Sequence, residues 1–344
     1  MADTAIVVPA PLPARSRIAK VMRDLRRLPV IPVLLLSLVV VTGIIAPWIS
    51  PHNPETGDLA DRNLPPAWSG PSTTSRLVVE EVEFAIKHRQ ITLEDARKIK
   101  DDAVLGDTVE VVTRLGGSTK FLVGTDHLGR DLLSRIIYGA RISLIVAAMT
   151  LGVGGGLGVV LGLISGWYGG WVDELIMRVV DIILSLPLIL VALVLVTSVG
   201  QSLELMVAVM AIWIWPRFAR MVRGEVLTLK TMDYVALARV AGASTLRILA
   251  IHLFPGTINT LIVVATLQVG IVILLEASLS FLGAGVPPPT PAWGSMVAEG
   301  RDRLVDSWWI ATMPGLAIML TVMSVNLFGD WLRDTLDPRL RHLE

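Results

Sequence analysis

The chain has 344 residues, 53% of them hydrophobic and 17% charged, and its 30 basic and 30 acidic side chains cancel to a formal net charge of zero. With a mean hydropathy of +0.66, that balance excludes an ordinary soluble domain and points to an integral membrane protein, while the absent net charge leaves no footprint for nucleic acid. There is no cysteine, which excludes disulfides, thiolate metal sites and cysteine nucleophiles. His52, His88, His127, His252 and His342 are scattered without metal-ligand spacing, so no metal site is expected.

In chain order, a basic stretch with Arg15, Arg17, Lys20, Arg23, Arg26 and Arg27 precedes an apolar run over 28–48. No small-residue cleavage site follows, so the run reads as an uncleaved first span rather than a signal peptide. Residues 50–135 form a long loop. It opens rich in Pro, Gly and Asn, hence turn-forming, and its middle (78–114) is charged but periodic. There ITLEDARKIKDD places Thr92 three residues before Asp95, a capping sequence, with apolar Ile91, Ala96 and Ile99 on one face. A small helical insert on the outer face is predicted.

Five further spans are predicted over 142–164, 175–199, 203–215, 257–282 and 308–328. In the second, Gly154, Gly158, Gly162 and Gly166 recur every four residues, a groove of bare backbone that permits close helix approach in lipid. Pro187 should kink the third. The fourth is short, and Arg217 and Arg220 can snorkel to lengthen it. Asp181 in the third span and Glu276 deep in the fifth are costly in hydrocarbon, so each should face protein or water. Pairing of Asp181 with a base such as Arg178 is expected. Glu276 admits two readings, a place on a translocation path or a hydrogen bond to a neighbouring helix. Gln268, Ser278 and Ser280 add polarity to the fifth span, which makes it the candidate pore-lining helix. Pro287, Pro288 and Pro289 with Trp293 should form a stiff outer loop.

Between the fourth and fifth spans lies Asp233–Pro255, DYVALARVAGASTLRILAIHLFP. It is too short and too mixed to span, so it should lie against a membrane face as two short helices. Asp233 would cap the first, Gly242 break it, Ser244 cap the second, and Pro255 open the next span. Tyr234, Ala238 and Ala241 share a face whose small residues admit close approach of another protein. Basic residues gather in the N-terminal stretch, in the 217–247 loop and in the tail with Arg333, Arg339 and Arg341. The positive-inside rule therefore places both termini and this loop in the cytoplasm. The resulting division is a cytoplasmic segment (1–27), a first span (28–49), an outer loop with insert (50–135), a core (136–332) containing the loop 217–255, and a cytoplasmic tail (333–344).

The Asp233–Pro255 segment resembles the EAA loop of ABC-importer permeases, matching it at Ala238, Gly242 and Pro255. It departs at Ala236, where the family has Glu, at Leu237, where it has Ala, and at Phe254, where it has Leu. Three more blocks resemble C-type dipeptide and oligopeptide permeases: Gly124–Asp131 (GTDHLGRD) with Ser134, Arg135 and Tyr138–Leu144; Gly166–Pro187; and Leu274–Met296. Together they cover most of the chain outside its first fifteen or so residues and the insert. The resemblance implies an all-α membrane protein with six transmembrane helices of the type I ABC-importer permease fold. It would serve as one subunit of a heterodimer in a bacterial or archaeal cytoplasmic membrane. Partners would be a sister permease, two ABC ATPase subunits or one fused pair, an extracytoplasmic solute-binding protein, peptide substrate and membrane lipid. Cofactors, ATP and Mg, would sit in the ATPases, with none in this chain and no catalytic residue here.

On that resemblance Asp233, Tyr234, Ala238, Arg239, Ala241, Gly242, Ala243 and Arg247 are the coupling residues, and Gln268, Glu276 and Ser280 the translocation-path candidates. The glycine groove then packs within the chain or meets the sister permease. The insert either contacts the binding protein or covers the outer mouth. Nickel complexes, glutathione or another small solute are alternative cargoes. A competing class is an ion-coupled secondary transporter using Asp181 and Glu276, though six spans are few and no inverted repeat is evident. A membrane-embedded enzyme lacks any nucleophile and base in the spans. No G-x-x-x-x-G-K-[ST] loop is present, so the chain would draw its energy from a partner.

Overall fold

Among the described residues the apolar runs become five helices long enough to cross a bilayer, or six when one bent pair is counted as a span. This computed structural model describes residues 29–82, 89–114 and 116–336. The basic N-terminal stretch, Leu28, His88 and everything after Leu336 lie outside the described residues.

Helix α1 (Val30–Ile49) is the first span. The insert that follows corrects the helical expectation. Strand β1 (Ser72–Val79) pairs in parallel with β2 (Gln90–Thr92) and antiparallel with β3 (Thr108–Arg114), in the order β2-β1-β3. Among the described residues of the insert the helix is α2 (Leu93–Arg97), which begins as its capping sequence predicts, with the Thr92 hydroxyl accepting the Asp95 N–H. Val78, Ile91, Ala96, Ala103 and Val109 close a small core of their own. The β-branched runs STTSRLVV and TVEVVTR favour extended backbone, and they outweigh the few helical residues between them.

Helix α3 (Leu132–Tyr168) is capped by Asp131, whose side chain accepts the Ser134 N–H, and carries a π turn at Leu151–Gly155. At 37 residues it extends about 55 Å, well beyond a hydrocarbon core of about 30 Å. Helices α4 (Gly170–Ser185) and α5 (Leu188–Val199) meet at 80°. The expected kink is thus a sharp elbow. Leu186 is extended, as a residue before proline prefers, and Pro187 donates no N–H to continue the ladder.

Helix α6 (Leu203–Leu229) is not the short span anticipated; it runs through Pro216 for 27 residues. Two of its arginines reach carboxylates on α4: Arg220 pairs with Asp181 at 2.5 Å and Arg223 with Asp173 at 2.5 Å. Asp181 therefore pairs across helices, while Arg178 meets Glu174 instead. Helix α7 (Asp233–Val240) follows, then α8 (Thr245–Phe281), α9 (Trp293–Arg301) and α10 (Trp309–Leu336).

The centre of the fold is the contact of α3 on α6. A Cβ added at Gly154 would lie 2.7 Å from the Ala211 carbonyl oxygen, at Gly158 2.6 Å from Phe218 Cβ, at Gly162 2.6 Å from the Ala219 oxygen, and at Gly166 2.7 Å from Val226 Cβ. The groove is filled from within the chain. Gly152 and Gly156, on the other side of α3, meet nothing within 4 Å. Gly158→Ala should therefore destabilise the extracted protein by about 1–3 kcal/mol, the usual cost of overpacking. Gly156→Ala should be neutral or stabilising, since alanine is the better helix former. Thermal unfolding of both variants in one detergent checks the pair; equal behaviour would mean that the α3–α6 contact is not set by this spacing.

Candidate functional site

Helix α7 has eight residues, too few to be stable alone, so its position depends on what it packs against. Val235 is buried among Val222 and Val226 of α6 and Ile248 and Leu253 of α8, with Ala238 and Ala243 against the same cluster. Tyr234 stacks on His252 with ring centroids 6.4 Å apart, and the Arg239 guanidinium lies 4.9 Å from the Trp167 ring centre. Asp233 is the first helical residue rather than the cap, which is Met232, and its charge still suits the helix N-terminus. Gly242 ends the helix at φ +78, a left-handed conformation that side chains resist.

Ser244 accepts the Arg247 N–H, but what it starts is α8 itself, not a second short helix. Pro255 lies inside that continuous helix. A π turn over Ile248–Leu253 re-registers the ladder immediately before it, where the missing N–H would otherwise leave a carbonyl unpaired. Of the expected contact face, Tyr234 and Ala241 are exposed while Ala238 is partly buried against the Val235 cluster. The outward surface also carries large apolar residues: Leu237 is 69% exposed and Val240 86%, and Leu246 in the first turn of α8 is exposed too. Their signal was present, since a segment too short to bury two faces carries large apolar residues on both.

Deeper in the bundle, Gln268, Glu276 and Ser280 share one face of α8, and all three are buried in this chain. Glu276, 1% exposed, accepts hydrogen bonds from Ser280 Oγ at 2.8 Å and from Ser143 Oγ of α3 at 3.3 Å, tying α3 to α8. That geometry is the inter-helix reading of Glu276. Gln268 Oε1 accepts a longer bond, 3.4 Å, from Arg217 Nη1, and Arg217 stacks over Trp213 at 3.7 Å from the ring centre. The sequence expectation gives Arg217 to a snorkelling span end and a basic loop, whereas it sits inside α6; its seat within WIWPRFARM, with no acid one turn away, is the signal that marks it out.

The GTDHLGRD block builds a knot at the insert end. Asp126 accepts the N–H groups of Leu128 and Arg130 at 2.8 and 3.0 Å, and its other oxygen pairs with Arg130 Nε at 2.7 Å and with Arg135. Both arginines also reach Glu299 of α9, at 3.0 and 2.7 Å. Trp309, at the start of α10, donates to the Thr125 carbonyl at 3.1 Å. The knot therefore joins the entries of α3 and α10 to α9. Asp126, His127 and Glu299 bring possible ligand atoms within 4.8 Å of one another, but two guanidinium charges already occupy the carboxylates and oppose a cation.

Burial alone would raise the Asp126 carboxyl, but Arg135 and Arg130 overcome it and hold it below its ordinary value. Burial lowers the His127 imidazole, so it takes up a proton less readily than it would in the unfolded chain. The signs agree. Each group contributes stability at neutral pH and loses it on acidification: His127 below about 6.5, where the unfolded chain gains the proton first, and Asp126 below about 3.8. Thermal unfolding against pH should show both losses, with His127→Gln removing the earlier one. Arg135→Met should cost roughly 3–5 kcal/mol, because it leaves buried Asp126 and partly buried Glu299 to share one cation.

Residues 158–342 match the family described as "Binding-protein-dependent transport system inner membrane component". The chain is similar to the di/tripeptide transport system permease protein DppC of Pseudomonas aeruginosa, 43% identical over 227 residues, 66% of this chain and 75% of that one. It is similar to the dipeptide transport system permease protein DppC of Escherichia coli K12, 49% identical over 226 residues with the same coverage. The glutathione transport system permease protein GsiD of another Escherichia coli strain is 44% identical over 226 residues, again 66% and 75% of the two chains. Among solved structures, the MetNI methionine ABC transporter aligns with a TM-score of 0.48 at 17% identity, over 60% of this chain and 96% of that one.

Proposed function

We infer, from a chain that belongs to the family of binding-protein-dependent transport system inner membrane components, that this protein is the permease subunit of an ATP-driven importer of di- or oligopeptides. The observation that carries the reading is α7: a short helix held rigidly at three points and presenting Leu237 and Val240 to an outside partner. Relatives named for dipeptides, for di- and tripeptides and for glutathione, itself a tripeptide, support the substrate class.

The full transporter pairs this chain with a sister permease, two ATPase subunits or one fused pair that hold ATP and Mg, and an extracytoplasmic binding protein. Both termini and α7 face the cytoplasm, as the loop charges favour. Closure of the ATPases on ATP displaces α7. Because Val235 is locked between α6 and α8, and Arg239 bears on Trp167 of α3, the displacement passes to all three helices. These rock to open a central cavity outward for peptide, and hydrolysis resets them.

The test is Leu237→Asp and Val240→Asp in the assembled importer. Both side chains are exposed, so the variants should insert and unfold like wild type. Peptide uptake should fall at least about tenfold, with stimulation of the ATPase lost alongside, as expected for the anchors of an interface. Wild-type uptake by both variants would remove α7 from the coupling path.

A further inference from the structure

Helix α6 carries three arginines in its second half, and they are not treated alike. Arg223 and Arg220 are neutralised by Asp173 and Asp181 of α4. Arg217, the deepest, has no carboxylate within 4.0 Å among the described residues; its partners are the Gln268 amide oxygen and the Trp213 ring. It stands about 20 Å along α6 from Leu203, some two-thirds of the way across a hydrocarbon core of about 30 Å for a helix entering at that end. An uncompensated guanidinium at that depth is expensive and calls for an anion. The fork offers five N–H donors, and with one spent on Gln268 the remainder suit a bidentate carboxylate.

Trp213 has a second neighbour. Its ring also walls an apolar recess of about 80 Å³ in the α4–α5 elbow, lined by Leu186, Leu188, Val191, Leu195 and Ile212. Trp213 thus borders both a cation and a small apolar recess. Resting on the peptide reading above, we propose that Arg217 binds the C-terminal carboxylate of the transported peptide, with the last residue's small apolar side chain entering the elbow recess. Arg217 is then the group that selects substrates with a free carboxyl end, and Gln268 positions it.

The same chemistry could come from an acidic side chain of the sister subunit, and the test separates the sources. The purified importer complex, without its binding protein, is titrated calorimetrically with dialanine and with dialanine amide, as wild type and as Arg217→Gln. Wild type should bind the acid at least about tenfold more tightly than the amide, and Arg217→Gln should bring the two within about twofold, with every subunit still co-purifying. Arg217→Lys should recover part of the preference by restoring the charge without the fork. A preference unchanged in Arg217→Gln, or absent from wild type, overturns the proposal. So does loss of the sister subunit from Arg217→Gln, which would assign the anion to the interface. Uptake of dialanine by wild-type vesicles is measured alongside: no uptake overturns the peptide reading itself, whereas uptake without a carboxylate preference in binding overturns only the Arg217 site.

Discussion

Everything in this fold hangs on how closely α3 can approach α6. Four glycines one turn apart bring the α3 backbone against the carbonyls of Ala211 and Ala219 and the side chains of Phe218 and Val226. In lipid no hydrophobic force drives helices together, so dispersion contacts and interhelical polar bonds must serve. Once α6 is seated, Arg223 falls beside Asp173, and Lys230 reaches the Gly166 carbonyl at 2.8 Å, one of the open acceptors at the α3 end. Val222 and Val226 then form the floor on which Val235 rests. The position of α7 is thus a consequence of glycine spacing some seventy residues earlier in the chain.

Low dielectric sorts the charges by the same logic. A charge taken out of water must find a partner or a function. At the insert end Asp126, Arg130, Arg135 and Glu299 satisfy one another, and the helices leaving the knot are fixed there. Toward the other end the α4 carboxylates meet α6 arginines. Glu276 resolves its charge differently, accepting from two serines on two helices. Among the described residues Arg217 is a cation these arrangements leave without a carboxylate, held by Gln268 and Trp213 instead.

The spans were legible because membrane helices need long apolar runs, and Leu28–Trp48 and Thr257–Leu282 could hardly be anything else. The glycine groove was legible too, though its occupant was not: a four-residue repeat announces close packing without naming the partner. Where reading failed, a tertiary contact overrode a local rule. Pro216 did not stop α6, since packing on α3 supports the helix on both sides. Arg178 lost Asp181 to Arg220, a partner 39 residues away that no helical spacing reveals. The insert was misread because twelve helix-like residues dominated a segment whose strands lie at its edges. Of the face that carries Tyr234, Ala238 and Ala241, only Ala238 packs toward the Val235 cluster, while Tyr234 and Ala241 stay exposed beside the apolar Leu237 and Val240 that spacing alone did not single out.

Two π turns lie along the path from α7 into the membrane, and their placement bears on how a rigid lever could move anything. One, Ile248–Leu253 in α8, carries two of the residues that clasp Val235 and the ring that stacks on Tyr234. The other, Leu151–Gly155 in α3, holds Gly154 against Ala211 and Ile214 at the top of the glycine groove. A π turn is an interruption of the helical ladder at which neighbouring segments can shift in register more cheaply than in a regular helix. Between the two interruptions α3 and α6 are locked by glycine contacts, and ion pairs tie α6 to α4. The bundle is therefore stiff between the two π turns and looser at them. In the proposed importer, displacement of α7 would turn α8 about its first π turn, and α3 would yield at the second. Arg217 projects from α6 between the two levels, so the helix motions that expose or cover its guanidinium would be the motions that α7 drives.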